Sequence, residues 1–245
     1  MSACPMPAPA FPMKIPSKIL GVYGGMGPAA SAEFMRLLAE MAPARRDQEH
    51  PIVYLYSDAQ TPDRTDAFFG RGESPAPRLR AGLDRLCEWG ADLLAVPCNT
   101  AHIFIDSFRS ELKRPLVHIV EATVADAVKI APDGCWIIAT GATLASGIYT
   151  KEAERIGYSF MDVDDEIRAL ASQAIALVKA GELPESGKVM ERIAEKLWSL
   201  REVPIVTACT ELPLAYSASS LPKDMTVSSL ISLSRACIDA LYGAE

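Results

Sequence analysis

The sequence predicts an α/β fold of two similar lobes, each a parallel sheet flanked by helices. Three observations carry this. Apolar runs alternate with helical patterns along most of the chain, as βαβ units require. The order strand, helix, strand, helix, strand-Cys over residues 18–115 is echoed over 116–212. Pro115 and Pro204 punctuate comparable places in the two stretches.

The elements follow from local pattern. Strands are expected at Ile19–Tyr23, Ile52–Tyr56, Leu93–Val96, Leu116–Ile119, Trp136–Ala139, Ser159–Met161 and Val203–Val206, each a short apolar run. Helices are expected at Ala29–Met41, Ala76–Glu88, Ala101–Leu112, Thr123–Ile130, Leu144–Ile156, Asp165–Lys179, Lys188–Leu200 and Leu230–Tyr242. Residues 18–115 with 213–245 form the expected first lobe and 116–212 the second, the last helix returning to pack on the first lobe. Pro5, Pro7, Pro9, Pro12 and Pro16 interrupt the start, so residues 1–17 are expected as a flexible tail rather than a signal peptide.

Composition narrows the function. With 245 residues, about half of them apolar, the chain can bury a substantial core. A net charge of −7 argues against nucleic acid as a partner and offers no basic membrane patch. No apolar run approaches the roughly 20 residues of a membrane span. The six cysteines show no metal-type spacing and no disulfide framework. A cytoplasmic setting suits such free thiols, and no metal site is assigned.

Two segments carry the chemistry: Val96-Pro97-Cys98-Asn99-Thr100-Ala101-His102 and Thr207-Ala208-Cys209-Thr210-Glu211-Leu212-Pro213. Each reads as strand, cysteine, helix start. A helix N-terminus favours thiolate, so both thiols are expected below their free value of about 8.5. A matched pair of bases suits a reaction that takes a proton from one face of a carbon and returns one on the other. The plainer alternative is that each cysteine is a small buried hydrophobe.

Other candidates each have a structural alternative. Gly24-Gly25-Met26-Gly27-Pro28 satisfies a loose dinucleotide fingerprint, or is simply a tight turn. The acidic residue that a nucleotide site wants is misplaced: Asp47 and Glu49 precede the second strand and Asp58 lies too far on. Arg64, in the polar loop after that strand, could fork onto a carboxylate or pair with Asp63 or Asp66. His102 could donate to a substrate carboxylate, tune Cys98 or be structural. Glu211 is read first as a helix cap, with substrate ammonium as the alternative. Lys179 meets a helix C-terminus, where lysine is favoured in any case.

Ile19-Leu20-Gly21-Val22-Tyr23-Gly24-Gly25-Met26-Gly27-Pro28, Arg46-Asp47-Gln48-Glu49-His50, Pro62-Asp63-Arg64-Thr65, Pro97-Cys98-Asn99-Thr100-Ala101-His102 and Cys209-Thr210-Glu211-Leu212-Pro213 together resemble the cofactor-independent aspartate/glutamate racemases, the aspartate branch most closely. The resemblance runs over about residues 18–215. It implies an active site between two pseudo-symmetric lobes, usually in a homodimer, and racemisation without a cofactor. It implies Cys98 and Cys209 as acid/base thiols. It places Arg64 and Lys179 on the side-chain carboxylate of an acidic amino acid, and Asn99, Thr100 and Thr210 on its α-carboxylate and ammonium. Met26 and Glu211 complete the expected substrate contacts. Two departures bear on the substrate. Ala208 stands where the family usually has glycine, a penalty if that backbone needs positive φ. Val227-Ser228-Ser229 lacks the carboxylate the family often carries before the last helix. Readings still open are a related isomerase or decarboxylase of a small dicarboxylic acid, a non-catalytic binder of acidic amino acids, and a nucleotide site.

Overall fold

The computed structural model describes residues 15–243; most of the expected N-terminal tail lies outside them. β1 (Leu20–Gly24) is wholly buried because helices cover both faces, which is why its sequence is apolar without alternation. It pairs in parallel with β2 (Val53–Ser57), Leu20 opposite Val53, and with β3 (Leu93–Ala95). β4 (Leu116–Val117) extends this sheet to the order β2-β1-β3-β4. The second sheet repeats the plan. β5 (Cys135–Ala139), β6 (Phe160–Met161), β7 (Ile205–Ala208) and β8 (Thr226–Ser228) run in the order β6-β5-β7-β8, all parallel. The pairing is offset from the expected chain division. Leu116–Val117 belong to the first sheet, and Thr226–Ser228, not expected as a strand, belong to the second.

Helices connect the strands in chain order: α1 (Pro28–Met41), α2 (Arg64–Phe68), α3 (Ala76–Glu88), α4 (Asn99–Ile105), α5 (Ile119–Ile130), α6 (Gly141–Ala145), α7 (Ile148–Arg155), α8 (Asp165–Lys179), α9 (Leu183–Leu200), α10 (Leu212–Ser217) and α11 (Ser229–Tyr242). Several expectations shift. The helix expected over 101–112 ends at Ile105 and resumes only as a 3₁₀ turn at Arg109–Glu111. The helix expected over 144–156 is two, broken at Gly147, whose φ of 67° is left-handed. α9 begins five residues before the expected Lys188, because Pro184 sits in its first turn, where proline is tolerated. α2 and α10 are too short to show a periodic signature.

The lobes are joined by exchanged helices. α11, which follows the second sheet, packs on α1, which follows β1 of the first. α5, which follows the first sheet, packs on α7 of the second lobe and on α11. One core therefore draws on both sheets: Val22 and Ala95 from the first, Ile137 and Val206 from the second, with Phe34, Ile119, Tyr149 and Leu230 between them. Separate cores back the outer faces, Leu79, Leu83 and Ile105 in one lobe and Ile167, Met190 and Ile193 in the other. This frame holds the carboxyl ends of β3 and β7 towards a shared space. No helix among the described residues is long and apolar enough to cross a membrane.

Candidate active site

Cys98 follows β3 through Val96-Pro97 and is the residue before α4, in extended conformation (φ −157°, ψ 112°). Cys209 directly follows β7, and Thr210-Glu211 lead into α10. The two thiols, one from each lobe, line the same cavity. Its walls also include Met26, Arg64, Asn99, Thr100, Lys179, Thr210 and Glu211, so every residue anticipated for the site meets there. Asp63, Thr65 and Thr140 line it as well and were not anticipated. Asp63 and Thr65 flank Arg64 in sequence. Thr140, at the end of β5, would have been found only by laying one lobe on the other. The cavity measures about 20 Å³, room for about one water. A substrate must therefore displace side chains on entry.

Burial, not the helix start, governs the thiols. α4 has seven residues and α10 six, so their aligned dipoles are short. Cys98 is 5% exposed and Cys209 6%. Desolvation pushes both thiols up, against the expected depression. The neighbours then separate the pair. At Cys98 the Arg64 guanidinium and the Ala101 N–H work against burial, while the Glu211 carboxylate adds to it. At Cys209 the Glu211 carboxylate adds to burial, opposed by the Glu211 N–H and Lys179. Cys209 Sγ donates to Glu211 Oε2 at 3.1 Å, a bond only the protonated thiol can make.

Glu211 does not cap its helix. Its side chain makes no bond to the α10 amides and crosses to the other lobe instead. Oε1 accepts from the Gly27 N–H at 3.1 Å, and Oε2 accepts from Thr210 Oγ1 at 3.4 Å besides the thiol. Thr100, the counterpart two residues after Cys98, also crosses over. Its hydroxyl lies 3.0 Å from Thr140 Oγ1 and 2.9 Å from Thr143 Oγ1. Asn99 is held on both ends of its amide: Nδ2 donates to Ser229 Oγ at 3.1 Å, and Oδ1 accepts from Tyr149 at 2.5 Å.

The cations are placed by helix ends. Asp63 caps α2 by accepting from the Thr65 and Asp66 amides, which fixes Arg64 in the first turn. Arg64 forms no ion pair with Asp63 or Asp66. Its Nη1 donates to the Thr61 and Pro62 carbonyls, both at 3.2 Å, and its buried Nε has no hydrogen-bond partner. Lys179 closes α8. Burial opposes ionisation of Asp63, but the Asp66 N–H and the charges of Arg64 and Lys179 outweigh it and hold the carboxyl below its usual range.

The other candidates are structural. His102 is fully buried, and its Nδ1 lies 2.9 Å from the Cys98 carbonyl oxygen. A carbonyl only accepts, so Nδ1 carries the proton and the ring props the backbone of Cys98. Burial pushes its pKa well below the usual histidine range, so it stays neutral. The glycine-rich turn has its amides engaged: Gly25 N–H donates to Ser31 Oγ and Gly27 N–H to Glu211. Gly25 has φ 94°, and a Cβ there would lie 2.4 Å from the Asp58 carbonyl carbon, so glycine is needed for close approach to the next loop. Asp58 pairs with Arg78 at 2.6 Å. Ala208 carries no penalty, since no non-glycine residue among those described has positive φ. Ser228 caps α11 through the Ile231 N–H, and Ser229 ties Asn99 to the Thr207 carbonyl. Among the described residues no three His, Cys, Asp or Glu side chains gather as a metal site requires.

Residues 24–239 match the profile of the Asp/Glu/hydantoin racemase family. The chain is 25% identical over 198 residues to the broad specificity amino-acid racemase RacX of Bacillus subtilis, covering 79% of this chain and 86% of that protein. Its structure is similar to the aspartate racemase of Picrophilus torridus, with a TM-score of 0.80, 28% identity, and coverage of 92% of this chain and 94% of that one. It shares its fold with the glutamate racemase of Campylobacter jejuni, at a TM-score of 0.61 and 21% identity over 91% of this chain and 84% of that one. The chain belongs to the Asp/Glu/hydantoin racemase family and is an amino-acid racemase.

Proposed function

We infer that this enzyme interconverts the enantiomers of an acidic amino acid, aspartate foremost and glutamate in second place, by a two-base exchange between Cys98 and Cys209. The observation that carries the reading is that one cavity receives a thiol from each lobe together with two cations, Arg64 and Lys179. A short acid has a second carboxylate for those cations, which suits a charge-assisted contact.

In one direction the Cys98 thiolate takes the α-proton and becomes a thiol. The Cys209 thiol gives its proton to the opposite face of the planar carbanion and becomes a thiolate. The reverse reaction exchanges the roles. Cys98 is the first to ionise: Glu211 adds to the burial of both thiols, but Arg64 works against it most strongly at Cys98, while Cys209 also donates its proton to Glu211. Charge developing on the α-carboxylate is met by the hydroxyls of Thr100 and Thr210 and by the amides that open α4 and α10. The enzyme is expected to need no cofactor and to work as a homodimer in the cytoplasm.

A broader substrate range is the second reading, favoured by the similarity to the broad specificity RacX. Chiral analysis of a panel of amino acids after incubation with purified enzyme separates the two. Interconversion confined to aspartate and glutamate supports the acidic reading. Equal turnover of neutral amino acids replaces it with the broader one, and turnover of none overturns both.

A further inference from the structure

The residue after each thiol is held differently. Thr210, which follows Cys209, turns its hydroxyl to the Glu211 carboxylate beside it. Asn99, which follows Cys98, is tied into a chain of buried hydrogen bonds that crosses between the lobes. The other members come from three elements: Tyr149 from α7, Ser229 from the start of α11, and Thr207 from β7, two residues before Cys209. Tyr149 and Ser229 are buried, and neither lines the reactive cavity.

The chain can run in one sense only. Ser229 Oγ donates to the Thr207 carbonyl at 2.9 Å. A carbonyl only accepts, so this bond takes the single proton of the hydroxyl. Towards Asn99, 3.1 Å away, Ser229 Oγ can then only accept, and the amide must present its nitrogen there. That leaves Oδ1 for Tyr149, at 2.5 Å. An amide oxygen only accepts, so the phenol donates. Burial pushes the Tyr149 pKa up, so the phenol keeps the proton that this bond needs. An Asn99 amide turned end for end would set two acceptors, Oδ1 and Ser229 Oγ, against each other. With Ser229 taking one N–H of Nδ2, the second stays uncommitted, a donor of the kind a substrate carboxylate takes.

The same chain joins the two reactive segments. Asn99 is the residue after Cys98, and the Thr207 carbonyl lies on the strand that leads to Cys209, with only Ser229 between them. We propose that Tyr149 and Ser229 are positioning residues for racemisation: together they hold the Asn99 amide in one orientation and tie the Cys98 segment to the strand of Cys209. The inference rests on the two-thiol reading above. A proton taken by one sulfur and returned by another needs both sulfurs held against one carbon, and a misplacement of about 1 Å can cost about 100-fold in rate.

Steady-state kinetics on Tyr149→Phe and Ser229→Ala test the assignment, run with whichever amino acid the wild type turns over fastest. Tyr149→Phe removes one oxygen and keeps the ring, so the core around it stays filled. Ser229→Ala removes the acceptor at the other end of the amide. Each should lower kcat by about tenfold or more while KM changes by less than about threefold. A double-mutant cycle then separates positioning from general support. Asn99→Ala should itself lower kcat/KM, and adding Tyr149→Phe to it should cost no more than about twofold further, because the phenol acts through Asn99. An unchanged kcat in either single variant, a rise in KM alone, or the full cost of Tyr149→Phe in the Asn99→Ala background overturns the assignment. Inactive Cys98→Ala and Cys209→Ala beside an unimpaired Tyr149→Phe overturn the positioning role alone. An active Cys98→Ala overturns the two-thiol reading and this inference with it.

Discussion

Cys98 and Cys209 occupy matching places on matching sheets, yet their surroundings differ in sign. Each follows a central strand, precedes a short helix and is nearly fully buried. Each is followed two residues later by a side chain that reaches into the other lobe, Thr100 to Thr140 and Thr143, Glu211 to Gly27. But Cys98 faces the guanidinium of Arg64, while Cys209 donates to the carboxylate of Glu211. The backbone repeats and the electrostatics do not. A two-base reaction benefits from that, since it needs one thiolate and one thiol at the same moment.

The largest effect that tests this comparison is loss of either thiol. Cys98→Ala and Cys209→Ala should each lower racemisation by about 10³-fold or more, as expected for removal of an essential acid or base. Near-normal turnover by either variant, followed by chiral chromatography, would break the pairing. Next, Arg64→Ala removes the cation from the Cys98 side. It should lower kcat/KM for aspartate by about 10- to 100-fold, the range for a lost charge-assisted bond. An unchanged value would remove Arg64 from substrate binding.

Glu211→Gln sharpens the comparison from the other side. It removes the negative charge that adds to burial in raising Cys209, so the Cys209 pKa should fall. Alkylation by iodoacetamide at mildly alkaline pH, resolved by peptide mass, should speed up severalfold at Cys209 and by less at Cys98, which the same carboxylate raises without a hydrogen bond. Equal change at both would mean that Glu211 does not distinguish them.

Buried thiols also tie stability to pH. Desolvation raises Cys98, Cys209 and Cys237 and pushes Cys135 to about 11 in the folded chain. Unfolded thiols ionise near about 8.5. The unfolded state therefore loses protons first, and the stabilisation present below that value is lost as pH rises towards the folded values. Tm should decline from about pH 8.5 upward, less steeply in Cys135→Ala. The smallest effect is expected at the lobe crossing: Thr143→Val should cost about 1 kcal/mol in denaturant unfolding, one net hydrogen bond of the threonine cluster.

Much of this was legible in the chain. The repeated strand-Cys-helix order exposed both lobes and both thiols, because a buried parallel strand is a short apolar run with a polar break at its carboxyl end. Arg64 and Lys179 were legible through resemblance, not through spacing. Less could be read where tertiary contacts decide. β8 is three residues long and becomes a strand by pairing with β7. Glu211 looked like a cap, but its partner Gly27 lies 184 residues away in sequence. The thiol pKa values went against expectation because burial is a property of the packed chain, and it outweighs two short helix starts.

The claim that two sulfurs serve opposite faces of one carbon is tested most directly by following L-aspartate in heavy water early in the reaction. The account predicts D-aspartate carrying deuterium at Cα while the remaining L-aspartate keeps its protium, because the base that removes the proton is not the acid that returns one. D-aspartate that retains the original protium would contradict it.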